Sequence, residues 1–197
     1  MLDNLKFHLR SLLVFSGREP RRVFWPWVAA VMVLNMATAM VAIVPIFVTA
    51  FTAISRFARE HPEQTTVTSG PGSYSVQVHG NHPEFMPDFG GFMVVSAIAA
   101  LVTVLLLAAA VARRLHDCGR SALLGLLPVP FLVAGMAMMP VLFGQALHGG
   151  EPDLGMFALL FGNNLAYLTM VGVLIALTAG KSTPGENRFG PPLTPDE

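Results

Sequence analysis

At 197 residues the chain has the length of a single domain. Hydrophobic residues make up 53% of it, Asp, Glu, Lys and Arg only 12%, and the apolar residues are gathered into long runs, which excludes an ordinary soluble domain. Positive and negative residues balance to zero, and the basic ones are dispersed at the ends of apolar runs, so nothing supports nucleic-acid binding; the single Cys118 excludes an intramolecular disulfide.

No Asp, Glu, Lys or Arg occurs from Val23 to Ser55, Phe89 to Ala112, Ser121 to Gly150, or Leu154 to Gly180. A helix needs ~20 mostly apolar residues to cross a bilayer, and none of these runs shows the recurring polar face of a soluble helix. The expectation is an all-α membrane protein: one integral domain, 1–197, in which four transmembrane helices at about 24–54, 89–112, 122–147 and 154–179 form a bundle.

In chain order, residues 1–22 come first. Leu2, Leu5, Leu9, Leu12 and Leu13 fall at helical spacing, with Asp3, Lys6, His8, Arg10 and Ser11 largely on the other side. This predicts an amphipathic helix lying in the membrane interface, interrupted by Gly17 and Pro20. The first span opens with Trp25 and Trp27, which suit the interfacial belt, and contains Pro45, expected to kink it. Its apolar run is far longer than that of a cleavable leader, so it reads as a retained anchor.

The loop 55–88 is the only sizeable segment outside the spans. Thr65–Thr68 and Tyr74–Val78 alternate around Gly70-Pro71-Gly72, which predicts a small β-hairpin. The second span places small residues four apart, at Ser96 with Ala100 and at Ala108 with Ala112, allowing close helix approach. The third carries Pro128, Pro130 and Pro140 and is expected to be kinked or broken. A short acidic loop, His148 to Asp153, leads to the fourth, where Asn163 and Asn164 lie at a depth at which polar groups usually bond across helices. The tail 180–197, rich in Gly and Pro, reads as irregular.

Four spans place the N-terminal segment, the 113–120 turn and the tail on one side. That side holds ten Lys and Arg against six Asp and Glu, while the opposite side holds two against six. The positive-inside rule then places both termini in the cytoplasm.

Three sequence elements share that side: Ser16-Gly17-Arg18 with Arg21 to Trp25, Ala112-Arg113-Arg114-Leu115-His116-Asp117-Cys118-Gly119-Arg120-Ser121, and Pro184-Gly185-Glu186-Asn187-Arg188-Phe189-Gly190-Pro191. In this order they resemble the DUF805 family of small bacterial inner-membrane proteins, over about Phe15 to Pro192. The resemblance implies a multi-pass location in a bacterial inner membrane and no particular reaction. Ala122-Leu123-Leu124 stand where that family often has Trp, and the tail motif is more tightly spaced here.

If the second span stays helical through Cys118, Arg113 and Arg114 lie four and three residues before Asp117, and Arg120 three after it. One carboxylate is then within reach of several guanidinium groups, with Gly119 ending the helix. Arg18, Arg21, Arg113, Arg114, His116, Asp117, Arg120, Asn187 and Arg188 form the candidate binding face, and Arg18 or Arg21, Asp117, and Asn187 or Arg188 are expected to meet in one polar cluster. Two functional readings remain open. The first is a non-enzymatic membrane protein whose basic face recognises lipid headgroups or a protein partner, a second copy included. The second is an enzyme acting on a phosphorylated lipid, with Arg113, Arg114 and Arg120 holding phosphate and His116 as acid or base; a cavity at His116 would favour it, and His116 packed against helix ends would favour the first. Adjacent His116 and Asp117 do not face each other on a helix, and no catalytic residue is assigned. No cofactor or metal is expected, although His79-x-x-His82, with His61 nearby, has a ligand-like spacing. The absence of charge within the spans argues against an ion-coupled transporter.

Overall fold

A computed structural model describes residues 2–80, 85, 89–147 and 153–191, apart from the side chains of 146 and 147. The elements are α1 (Leu2–Arg10), α2 (Arg21–Glu60), β1 (Thr65–Gly70), β2 (Ser73–Val78), α3 (Gly90–Asp117), α4 (Val129–Leu147) and α5 (Leu154–Thr178). Four stretches are long and apolar enough to cross a membrane: Arg21–Glu60, Gly90–Asp117, Ala122–Gln145 and Leu154–Thr178. The chain is therefore a multi-pass membrane protein built on four helices. Several of their hydroxyls are satisfied locally, as apolar surroundings favour: Thr38, Thr49 and Thr169 each donate to the carbonyl four residues back.

α2 runs well past its apolar stretch, and the helix continues through Pro26 and Pro45. Its last turns carry an exposed Arg56–Glu60 pair, so part of the expected loop 55–88 is helix. The hairpin that follows pairs Thr65 with Val78 through Gly70 with Ser73, and Gly72 turns it at φ +80°. Tyr74 brings its ring to 6.1 Å from Phe51, resting the hairpin on α2. The described residues stop short of His82, so the His79-x-x-His82 spacing lies outside them, as does most of the acidic loop from His148.

The helices associate mainly in two pairs, α2 with α3 and α4 with α5, and α3 touches both members of the second pair. Trp27 is buried and donates its indole N–H to the Leu106 carbonyl at 3.0 Å; it is a core residue, not the interfacial anchor its position suggested. Phe24, Trp27, Val31 and Ala110 form the buried core at the start of α2 and the far end of α3, where the small residues Ala109, Ala110 and Ala112 admit close packing. Farther along this pair, Thr103 donates to Asn35 Oδ1 at 2.9 Å.

α3 ends in a glycine cap. Gly119 has φ +71°, its N–H bonds to the His116 carbonyl, and the Arg120 N–H reaches back to the Leu115 carbonyl. The third span is broken near Pro128 and Pro130, while α4 continues through Pro140. A 3₁₀ segment, Ala122–Leu126, starts on the Ser121 side chain, and a Cβ added at Gly125 would lie 3.0 Å from Val111 on α3. Pro128 then precedes α4, and Pro130 sits in its first turn, where no helical N–H is lost. Asp153 caps α5 by accepting from the Met156 N–H at 3.0 Å. Asn163 donates to the Phe131 carbonyl at 2.9 Å, joining α5 to α4.

The last contact generates a prediction. Asn163→Leu should destabilise the detergent-solubilised protein by about 1 kcal/mol, the scale of an interhelical polar contact in lipid. Thermal unfolding measures it, and an unchanged midpoint would remove this bond from the account of α4–α5 packing.

Candidate functional site

The N-terminal segment, the C-terminal end of α3 and the tail meet at one end of the molecule, and their contact is made by buried charges. Arg18, Glu19, Arg113, Arg114, Asp117 and His8 are all buried there. Burial of an ionised group is costly unless its hydrogen-bonding capacity is met. Here it is met almost entirely by the protein.

Asp117 sits in the last turn of α3. Its Oδ1 accepts from Arg18 Nε at 3.1 Å and lies 3.0 Å from Arg18 Nη2, while Oδ2 accepts from Arg114 Nη1 and the Ser182 hydroxyl. Arg18 spends its other N–H groups on the tail, donating to the Thr183 carbonyl at 2.6 Å and the Gly185 carbonyl at 2.5 Å. Arg114 donates from Nε to the Thr178 carbonyl at 2.8 Å and from Nη2 to the Gly180 carbonyl at 2.7 Å. It thus satisfies carbonyls at and just beyond the C-terminal end of α5, where a cation is favoured by the helix dipole.

A second carboxylate, Glu19, anchors the other half. Its Oε2 accepts from Arg113 Nε at 2.9 Å, and Arg113 Nη1 donates to the carbonyls of Ser11 and Val14. Glu19 Oε1 lies 2.8 Å from His8 Nε2, while His8 Nδ1 lies 2.9 Å from the Asn4 carbonyl. Both ring nitrogens thus face oxygen atoms. The His8 ring stacks on Trp27 with centroids 4.7 Å apart, and Asn4 donates to the Val23 carbonyl.

α1 keeps its leucines outward, as an interfacial helix requires, and what its sequence did not signal is that the opposite face is buried. Its polar residues Asn4 and His8 dock on the protein, and Leu2, Leu5 and Leu9 face outward; Leu2 is 71% exposed and His8 1%. The sequence grouped His8 with the solvated residues because nothing in the helical period reports a carboxylate arriving from residue 19.

The tail folds back over the helix ends. Thr183 donates its N–H and hydroxyl to the Asp117 carbonyl, each at 2.8 Å, and Asn187 donates to the His116 carbonyl at 3.0 Å. Gly185 and Gly190, at φ +69° and +110°, turn the strand, and Asn187 Oδ1 accepts the Phe189 N–H. Phe189 thereby stacks on His116, with centroids 3.9 Å apart and planes 11° from parallel, while His116 Nδ1 lies 3.2 Å from the Gly17 carbonyl.

Of the candidate residues, the fold brings Arg18, Arg113, Arg114, His116, Asp117 and Asn187 into this assembly. Arg21 joins at its rim, donating to the Gly180 carbonyl at 2.9 Å. Arg120 is exposed past the glycine cap, and Arg188 is exposed with its guanidinium 4.6 Å from the Phe189 ring centroid. Arg113 turns to Glu19 and not to Asp117. Glu19, His8, Ser182 and Thr183 were not singled out in the sequence; Glu19 alone carried a signal, as an acid beside Arg18 on a basic segment. Among the described residues no cluster of His, Cys, Asp and Glu has the makings of a metal site.

The family described as "Protein of unknown function (DUF805)" matches residues 12–191, a range that contains Arg18, Glu19, Arg113, Arg114, Asp117 and the tail residues of this assembly. The chain belongs to the DUF805 family. No curated protein and no solved structure matches it. In this DUF805 protein the three motifs, far apart in sequence, are the three sides of one buried ion-pair network.

Removing one partner of a buried pair leaves the other charge uncompensated. Asp117→Asn should cost about 3–5 kcal/mol, whereas Asp3→Asn, on the exposed first turn of α1, should stay within about 0.5 kcal/mol. Comparable small shifts in thermal unfolding for both would refute the network's structural role. Arg18→Lys keeps the charge but cannot reach Asp117, Thr183 and Gly185 together, so it should lower the unfolding midpoint clearly more than Arg22→Lys does.

Proposed function

We propose that this DUF805 protein is a non-enzymatic component of a bacterial inner membrane, with both termini cytoplasmic and a cytoplasmic face that binds anionic lipid headgroups. One observation carries the reading: the basic side chains at this end of the molecule divide into two sets. Arg18, Arg113 and Arg114 are buried and committed to protein oxygens. Lys6, Arg10, Arg21, Arg22, Arg120, Lys181 and Arg188 are exposed around the same end.

The exposed set suits a negatively charged surface, each cation contributing ~1 kcal/mol near an anionic leaflet. The outward leucines of α1 supply the apolar half of an interfacial anchor. The excess of Lys and Arg on this side supports a cytoplasmic placement under the positive-inside rule. Catalysis by His116 gains no support, because its ring is covered by Phe189 and Asp117 is already engaged by two arginines and a serine.

Two experiments test this. A reporter active only in the cytoplasm should give signal when fused after Glu197 and none when inserted at Gly72; the reverse pattern would overturn the orientation. In native mass spectrometry, phosphatidylglycerol should be retained in preference to phosphatidylcholine. Replacing Arg22, Arg120, Lys181 and Arg188 together by Gln should reduce that retention at least about tenfold. Equal retention of both lipids, or an unchanged preference in the variant, would refute headgroup binding.

A further inference from the structure

Asn163 and Asn164 stand side by side midway along α5, and the structure gives them different fates. Asn163 faces the chain and bonds to the Phe131 carbonyl. Asn164 is exposed, on the adjoining side of the helix, and makes no hydrogen bond among the described residues. In water an exposed amide is unremarked. In the hydrocarbon of a bilayer an amide without a partner is strongly unfavourable, because no solvent is available to satisfy it.

From this we infer that α5 is the contact surface for a second copy of the chain, joined by Asn164 to Asn164. Copies inserted in one membrane share one orientation, so their α5 helices run parallel. A two-fold axis along the membrane normal brings each Asn164 to the depth of its counterpart. An amide carries both donors and an acceptor, so the two side chains satisfy each other. A lipid tail offers neither group.

The residues flanking Asn164 have the geometry for this contact. Phe157, Phe161, Asn164, Leu168, Val171 and Ile175 alternate spacings of four and three, the seam of a left-handed parallel helix pair in which one polar position sets register. Phe157, Phe161 and Leu168 are 56%, 57% and 56% exposed, so the chain's own helices leave this seam open. The next position in the series, Thr178, is buried, its carbonyl taken by Arg114, so the seam ends where the polar network begins. Neighbouring asparagines thus serve neighbouring interfaces: Asn163 within the chain, Asn164 between chains.

The test uses the full chain in vesicles of neutral lipid, with Cys118→Ser removing the native thiol. Mild oxidation should join copies carrying Phe161→Cys or Leu168→Cys and leave Val173→Cys, on another face of α5, uncrosslinked. Single-molecule photobleaching should show dimers, and Asn164→Leu should weaken them about three- to thirtyfold, with Asn164→Gln restoring part of the loss. Asn164 lies outside the chain's own packing, so Asn164→Leu should leave monomer folding intact, and far-ultraviolet circular dichroism checks this. Monomers at every protein density, equal crosslinking at position 173, or a dimer indifferent to Asn164→Leu would each overturn the proposal.

Discussion

A carboxylate at the end of α3, Asp117, is the constraint around which the rest of the described structure is arranged. It cannot be buried alone, and two arginines from different segments converge on it. Those arginines cannot be buried with spare donors, and their remaining N–H groups reach carbonyls of α5 and the tail. Each satisfied donor therefore brings another piece of backbone to the same place. Glu19 repeats the logic with Arg113 and His8 and draws in α1. Buried ion pairs seldom add much net stability over an apolar core, but they penalise every arrangement that leaves one member unpaired. Here they specify which segments meet.

That specificity matters because the spans have little else to orient them. Lipid is as apolar as the helices, so no hydrophobic force drives the pairs together once inserted. Within the membrane the described polar contacts between helices are sparse: Trp27 to Leu106 and Thr103 to Asn35 across α2 and α3, Asn163 to Phe131 across α4 and α5. Close approach of small residues supplies the remainder, as at Ala109, Ala110 and Ala112. The network at one end thus acts as a clasp on helices that are otherwise loosely coupled. It also leaves α1 oriented with its leucines outward, as an interfacial helix needs.

Much of this was written in local patterns. Gly119 ends α3 because a left-handed residue was required there, and Pro128 and Pro130 stand where the third span passes from a 3₁₀ segment into α4, which continues through Pro140. The hairpin follows from alternation around Pro71-Gly72. The convergence of Arg18, Asp117 and Asn187 on one assembly was legible too, because four spans place their segments on one side. Less legible were the pairings inside it. Arg113 and Arg114 are adjacent, both within helical reach of Asp117, yet only Arg114 takes it. His8 and Trp27 each looked like surface residues, since a side chain able to snorkel and one able to bury are the same side chain.

Four long apolar runs separated by charged segments are enough to mark the chain as a multi-pass membrane protein. That property depends on run length, apolarity and the backbone's need for internal hydrogen bonds, all of which are local. Which arginines face inward to carboxylates, which remain outside, and which asparagine of α5 is used within the chain emerge only from the packed fold. Such choices depend on the geometry of partners tens of residues away. Helical spacing brings a guanidinium near a carboxylate on its own helix, but burial and the full set of available oxygens settle which bond is made.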